Sequence, residues 1–180
     1  MFLYSLNSST IKTTPILQKI RVAAEAGYSG IELWHDDIDA HVAGGGTVAD
    51  VRKCVDDHGL KVPTTIHMKD WFQPAGEVHS AAMDEARRKL EQAAAVGAEF
   101  TVAGPPHGTA DRELGKRHYH ELLELGTQFG VRPAFEYLGF VQDIRSIDDA
   151  IDIVTGATHP NACLVLDPFH CWVGGGGMES

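Results

Sequence analysis

Short apolar segments and longer amphipathic segments alternate along the chain. The apolar runs predict six strands, near 2–6, 30–34, 62–67, 99–103, 131–136 and 162–167. Apolar positions at helical spacing predict helices between them, near 14–26, 48–58, 80–96, 111–129 and 147–155. The strand starts recur about every 30 residues, which is the length that a strand and its crossover helix need. The pattern therefore predicts repeated βα units and a parallel sheet.

Residues at the predicted helix ends support these boundaries. Pro15 lies just inside the first helix and Gly27 just after it, which is the usual asymmetry of helix ends. Thr47 and Ser146 stand where N-caps are expected, and Asp149 follows Ser146 by three residues as in a partial capping box. Four helices are followed by a glycine and then a strand, at Gly27, Gly59, Gly97 and Gly130.

The apolar strands are continuous, which indicates a parallel sheet covered on both faces. A (β/α)8 TIM barrel and an open doubly wound sheet both fit, but no G-x-G-x-x-G follows the first strand. Titratable and aromatic residues at the carboxyl ends of many predicted strands favour the barrel, because an open sheet concentrates its ligand at one switch point. We expect residues 1–180 to form a single domain truncated to about six βα units, without strands seven and eight. A naturally short open relative is the alternative. The residues Met178-Glu179-Ser180 resemble the start of one more helix.

Composition narrows the classes of partner. The formal net charge is −10, with only 15 Lys and Arg, which opposes binding to nucleic acid or to an anionic membrane. No apolar run is long enough for a transmembrane helix, and the first residues do not resemble a signal peptide. The three cysteines show no metal-binding or disulfide pattern, so we expect reduced thiols in the cytoplasm. Whether the chain forms a homo-oligomer stays open.

Two predicted strands end on a carboxylate. Glu136 closes the fifth strand and Asp167 closes the sixth, and His170 follows three residues later. A carboxylate at the end of a buried strand is costly unless it binds something, so the pair predicts a divalent metal site. The alternative is a structural salt bridge from each acid to an arginine such as Arg132 or Arg145.

Aromatic and imidazole side chains gather at the same strand ends. The tryptophans there are Trp34, Trp71 and Trp172, and the histidines are His35, His67, His107 and His170. In a barrel these loops open on one face, which would give the walls of a polyol or sugar pocket. His67 is the better pocket candidate, whereas His107 could belong to a turn and His35-Asp36-Asp37 to a solvated loop start and helix cap. His118 and His120 are two residues apart on a helix and cannot share a face, so no metal role is expected there.

Three segments resemble a known family, the xylose isomerase-like TIM barrels of the sugar phosphate isomerase/epimerase superfamily. They are Gly30-Ile31-Glu32-Leu33-Trp34, Phe135-Glu136-Tyr137-Leu138-Gly139-Phe140 and Leu164-Val165-Leu166-Asp167-Pro168-Phe169-His170. The 2-keto-myo-inositol (inosose) isomerase branch is the most similar. The resemblance implies one metal ion held by Glu, Asp, His and Glu from strands five to eight. Glu136 and Asp167 match the first two ligands, and the other two have no counterpart in this chain.

The resemblance also implies a reaction. It is isomerisation or epimerisation of a small sugar, sugar phosphate or inosose, by proton transfer next to a carbonyl and with Mn²⁺, Mg²⁺, Co²⁺ or Zn²⁺. Glu136 would be ligand and base, His170 would orient a substrate oxygen, and substrate contacts are expected from His67, Trp34, Trp71 and Trp172. An inosose dehydratase-like lyase, an endonuclease IV-like DNA-repair enzyme and a non-catalytic fragment are the alternatives. The acidic charge disfavours the repair enzyme.

Overall fold

The computed structural model describes residues 2–175, which form six parallel strands alternating with helices. The strands are β1 (Ser5–Asn7), β2 (Gly30–Trp34), β3 (Thr64–Met68), β4 (Phe100–Ala103), β5 (Arg132–Glu136) and β6 (Leu164–Val165). The helices are α1 (Ile16–Glu25), α2 (His35–Ala43), α3 (Val48–Asp57), α4 (Glu77–Val96), α5 (Arg112–Phe129), α6 (Ile147–Gly156) and α7 (Pro168–Gly174).

The strands pair in chain order from β1 to β6, and every pair is parallel. This is the strand order of a TIM barrel with six of its eight βα units. Within residues 2–175, β1 and β6 lie at the two edges of the sheet and do not pair with each other. The prediction of a truncated α/β barrel is confirmed.

Two helices differ from the sequence prediction. The segment His35-Asp36-Asp37, expected as a loop start and helix cap, is the first turn of helix α2, which begins directly after β2. These acids favour a helix start because they face its positive end. Helix α7 was also missed; Asp167 caps it and Pro168 occupies its first position. The predicted helix start near Met178 lies outside the described residues.

The expected caps are present. The Thr47 hydroxyl accepts from the backbone of Asp50, and the Asp50 carboxylate accepts in return from the Thr47 backbone, 2.7 Å away. Ser146 and Asp149 form the same capping box at α6, so the partial box predicted from the sequence is complete. Such caps fix where each helix leaves the sheet and thus where the preceding loop runs.

The core lies between the sheet and its helices. On β2, Ile31 and Leu33 are fully buried, whereas the alternate residues Glu32 and Trp34 are only partly buried. Successive strand residues point to opposite faces, so one face packs on helices and the other carries functional side chains. Among the described residues, no helix is both long and apolar enough to cross a membrane.

Candidate active-site cavity

A cavity of about 300 Å³ opens at the carboxyl ends of the strands. Its lining includes inward-facing strand residues and residues of the following loops: Asn7, Trp34, Ile66, His67, Val102, Gly104, His107, Glu136, Leu138, Phe140, Asp167 and His170. The carboxyl ends of the strands are where barrels of this kind build their sites, because all βα loops open there.

Glu136, Asp167 and His170 converge at this cavity. One ligand-type atom from each side chain lies within 4.8 Å of the other two. Nε2 of His170 is 3.8 Å from Oδ2 of Asp167. The strand register accounts for the meeting of the two acids, because Glu136 pairs with Val165, two residues before Asp167. The fold therefore brings the three residues of the two sequence motifs together.

The absence of a side chain at Gly139 allows His170 and helix α7 to pack against the backbone after β5. A Cβ at this position would overlap the carbonyl oxygen of His170 and lie 2.6 Å from the backbone nitrogen of Gly174. Helix α7 thus packs directly on the backbone after β5, and any side chain at Gly139 would push it away. Since Asp167 caps α7 through the backbone N–H of Phe169 at 2.7 Å, the turn that holds the acid also positions His170.

The electrostatics of the cavity favour binding of positive charge. Burial, aided by the negative charges of Asp167 and Glu32, raises the pKa of the Glu136 carboxyl to about 7. Burial also raises the pKa of Glu32; its hydrogen bond from Thr64 opposes this effect, and the charge of Asp167 adds to it. Three carboxyl groups therefore interact in one partly buried region, which favours binding of a proton or a cation there.

Glu32 and Asn7 are residues that sequence reasoning missed. The Asn7 side-chain amide donates to Glu32 at 2.6 Å and accepts from Nε1 of Trp34 at 3.0 Å. Thr64 also donates to Glu32. This network holds the Trp34 ring at the cavity. Glu32 could have been found from its position in an otherwise apolar strand, whereas Asn7 required the pairing of β1 with β2.

Histidines and aromatic rings also line the cavity. The Trp34 and His67 rings meet edge to face at 6.1 Å, and Phe140 packs against both His107 and His170. Burial, and next the charges of Lys89 and Lys69, lower the pKa of His67. A neutral His67 can donate from one nitrogen and accept at the other, which suits a hydroxyl-bearing ligand.

Three of the residues at the strand ends are not brought to the cavity. Trp71 is fully buried and packs against Phe72, Tyr119 and Phe135, so its ring fills the core instead of the pocket wall. Trp172 is 82% exposed on α7. His35 is buried, with Nδ1 2.6 Å from the Gln92 amide oxygen. Within residues 2–175, Trp71 and Trp172 do not line the cavity, and their predicted substrate contacts stay predictions.

The salt-bridge alternative also fails. Arg132 pairs with Glu99, and the Arg145 guanidinium donates to the backbone oxygen of Val173. Within residues 2–175, no lysine or arginine forms an ion pair with Glu136, Asp167 or Glu32. The carboxylates at the strand ends are therefore available to a ligand.

The donor set suits a divalent metal ion. Two carboxylates and an imidazole supply oxygen and nitrogen ligands of the kind that Zn²⁺, Mn²⁺ and Co²⁺ accept. Nδ1 of His170 is buried and has no hydrogen-bond partner among the described residues. Burial, and next the charges of Asp167 and Glu32, raise the pKa of Glu136, and a bound cation would offset both effects. The residues present therefore fit the ion that the resemblance implies.

Comparison with known proteins agrees with this fold. The model of the xylose isomerase-like TIM barrel family matches residues 20–180, so the chain belongs to that family. A crystal structure of IolI protein with a bound zinc atom superposes with a TM-score of 0.89 at 19% identity, over 99% of this chain and 67% of that one. At this identity the likeness shows the fold.

Two curated relatives differ in activity. An inosose isomerase of Bacillus velezensis is 24% identical over 96% of this chain and 64% of its own length. A 3-dehydroshikimate dehydratase of Pseudomonas aeruginosa is 25% identical over 85% of this chain and 24% of its own length. The chain thus spans less than two thirds of each relative. Family members include sugar isomerases, epimerases and dehydratases, which supports an enzyme at that coarse level.

Proposed function

We propose that this chain carries the acidic half of a metal-dependent active site that moves a proton next to the carbonyl of a small polyol ketone. The observation that carries the proposal is the convergence of Glu136, Asp167 and His170 at one cavity. The inosose isomerase relative supports a cyclic polyol ketone as the substrate class. A sugar or sugar phosphate is the wider class that the fold accommodates.

In this proposal Glu136 and Asp167 hold the ion, and His170 lies beside them. A bound divalent ion would supply Lewis-acid polarisation of the carbonyl. Glu136 is also the candidate proton acceptor, because its carboxylate lies at the cavity beside the position proposed for the ion. His170 and His67 flank the cavity and can donate hydrogen bonds to oxygens on which negative charge develops. Trp34 gives the substrate ring an apolar wall.

Proton exchange at the carbon next to the carbonyl tests the proposal directly. The chain is incubated with an inosose in D₂O, with Mn²⁺, Co²⁺ or Zn²⁺ or with a chelator, and deuterium uptake is followed by NMR. We expect uptake that needs the ion and falls at least about 100-fold in Glu136→Gln, the lower end of general-base contributions. Glu91→Gln, on the exposed surface of α4, is the matched control. Metal-loaded chain that binds an inosose but gives no exchange would contradict the proposal.

A dehydratase is the second candidate, because a 3-dehydroshikimate dehydratase is among the curated relatives. Both reactions begin with loss of a proton next to a carbonyl, and the dehydratase then expels a hydroxyl. Mass spectrometry of the products separates them: an isomerase or epimerase keeps the substrate mass, whereas a dehydratase product is lighter by one water. Offering 3-dehydroshikimate and an inosose in parallel identifies which substrate class the cavity accepts.

A further inference from the structure

A second group of metal-ligating side chains lies between helices α4 and α5, away from the cavity. It consists of His79 on α4 and of His118 and Glu121 on α5, with one ligand-type atom of each within 4.8 Å of the other two. The two imidazole rings stack with centroids 3.9 Å apart, and Nε2 of His79 is 3.0 Å from a Glu121 carboxylate oxygen. None of the three residues lines the cavity at the strand ends.

Helix packing explains how these residues meet. His118 and Glu121 are three residues apart, so they share one face of α5. His79 is in the first turn of α4, which lies beside α5. The sequence predicts no metal role here, because His118 and His120 are two residues apart on one helix and face different directions. The Nδ1–H of His120 instead donates to the backbone oxygen of Ala157, 2.8 Å away, just after α6.

The two imidazoles are suited to metal binding because they are sheltered and their lone pairs are not fully used. His79 is 9% exposed and His118 is 8% exposed, and Nδ1 of each has no hydrogen-bond partner within residues 2–175. Burial, and next the charge of His79, lower the pKa of the His118 imidazole, which favours its neutral form. Neutral imidazole is the form that ligates metals. Glu121 remains half exposed and can move.

We propose that His79, His118 and Glu121 form a binding site for Zn²⁺ or a similar transition-metal ion, separate from the cavity. Two histidines and one glutamate are a known three-residue donor set for Zn²⁺, and they leave a fourth position open to water. Binding requires the stacked rings to turn about χ2, a torsion with a broad energy minimum, so that one nitrogen of each ring faces the ion. An ion held there would join α4 to α5.

The test removes the cavity site first. In the double variant Glu136→Gln/Asp167→Asn, zinc binding is measured by competition with a chromophoric chelator. We expect one Zn²⁺ to remain bound. Adding His79→Ala or Glu121→Gln weakens this zinc binding at least about tenfold. Removal of a residue that only supports a metal ligand already weakens metal binding by about this factor. His120→Ala, on the same helix, is the matched control and leaves it unchanged.

A second measurement needs no substitution at the proposed site. In the same double variant, the imidazole ¹⁵N signals of His79 and His118 shift on addition of Zn²⁺, whereas those of His120 do not. If the double variant binds no Zn²⁺, or if other histidines respond, the site does not exist. Activity at the cavity plays no part in either readout, so this outcome is independent of the proposed function.

Discussion

Neutralising Glu136 should stabilise the ion-free chain, and more so as the pH rises. A group whose pKa is raised on folding binds its proton more tightly in the folded state. Its contribution to stability is complete below the ordinary pKa of 4.5 and is lost as the pH rises through about 7. The gap between these two values corresponds to about 3 kcal/mol of unfolding free energy at most.

Glu136→Gln removes this ionisation while keeping the shape of the side chain. We expect parent and variant to have similar stability at about pH 4.5, and the variant to gain up to about 3 kcal/mol by about pH 8. Urea unfolding followed by circular dichroism at several pH values, in the presence of a chelator, measures the difference. The contributions of other titrating groups are the same in parent and variant and cancel in the difference. Glu32 and Asp167 are exceptions, because their charges interact with Glu136.

The same experiment contains its control and its refutation. Glu91→Gln changes an exposed glutamate on α4 and should follow the parent at every pH. Divalent metal should stabilise the parent more than Glu136→Gln, because the ion supplies the positive charge that the three acids lack. If the free energies of unfolding of the parent and of Glu136→Gln change in parallel between about pH 4.5 and about pH 8, folding does not raise the pKa of the Glu136 carboxyl.

Three further predictions concern the surroundings of the cavity. Gly139→Ala should lower the free energy of unfolding by about 1–3 kcal/mol in urea melts, because its Cβ would overlap α7; an unchanged melt would contradict the close packing. Trp71→Ala should cost about 3–5 kcal/mol as a core truncation, and Trp172→Ala less than about 0.5 kcal/mol, both read from the same melts; equal losses would refute these placements. Burial lowers the pKa of His35 to about 4, so its contribution is present above its ordinary 6.5 and is lost as the pH falls toward 4. Imidazole NMR shifts that stay constant down to about pH 5 would agree, and titration near 6.5 would not.

The sequence pattern alone determined the succession of strands and helices along the chain. Six apolar segments at βα spacing, each bounded by glycines or caps, predict the six parallel strands that are observed, because a parallel strand needs a crossover helix of known length. Glu136 and Asp167 were visible as candidates because a carboxylate that ends an apolar run is costly without a ligand.

Side-chain direction and contacts between distant elements were decided only by the tertiary structure. Trp34 ends β2 and lines the cavity, whereas Trp71 lies in the loop after β3 and packs into the core. Asn7 reaches Glu32 only because β1 pairs with β2. His79 meets His118 only because α4 packs on α5. Local pattern fixes which elements form, whereas packing fixes which of their side chains meet.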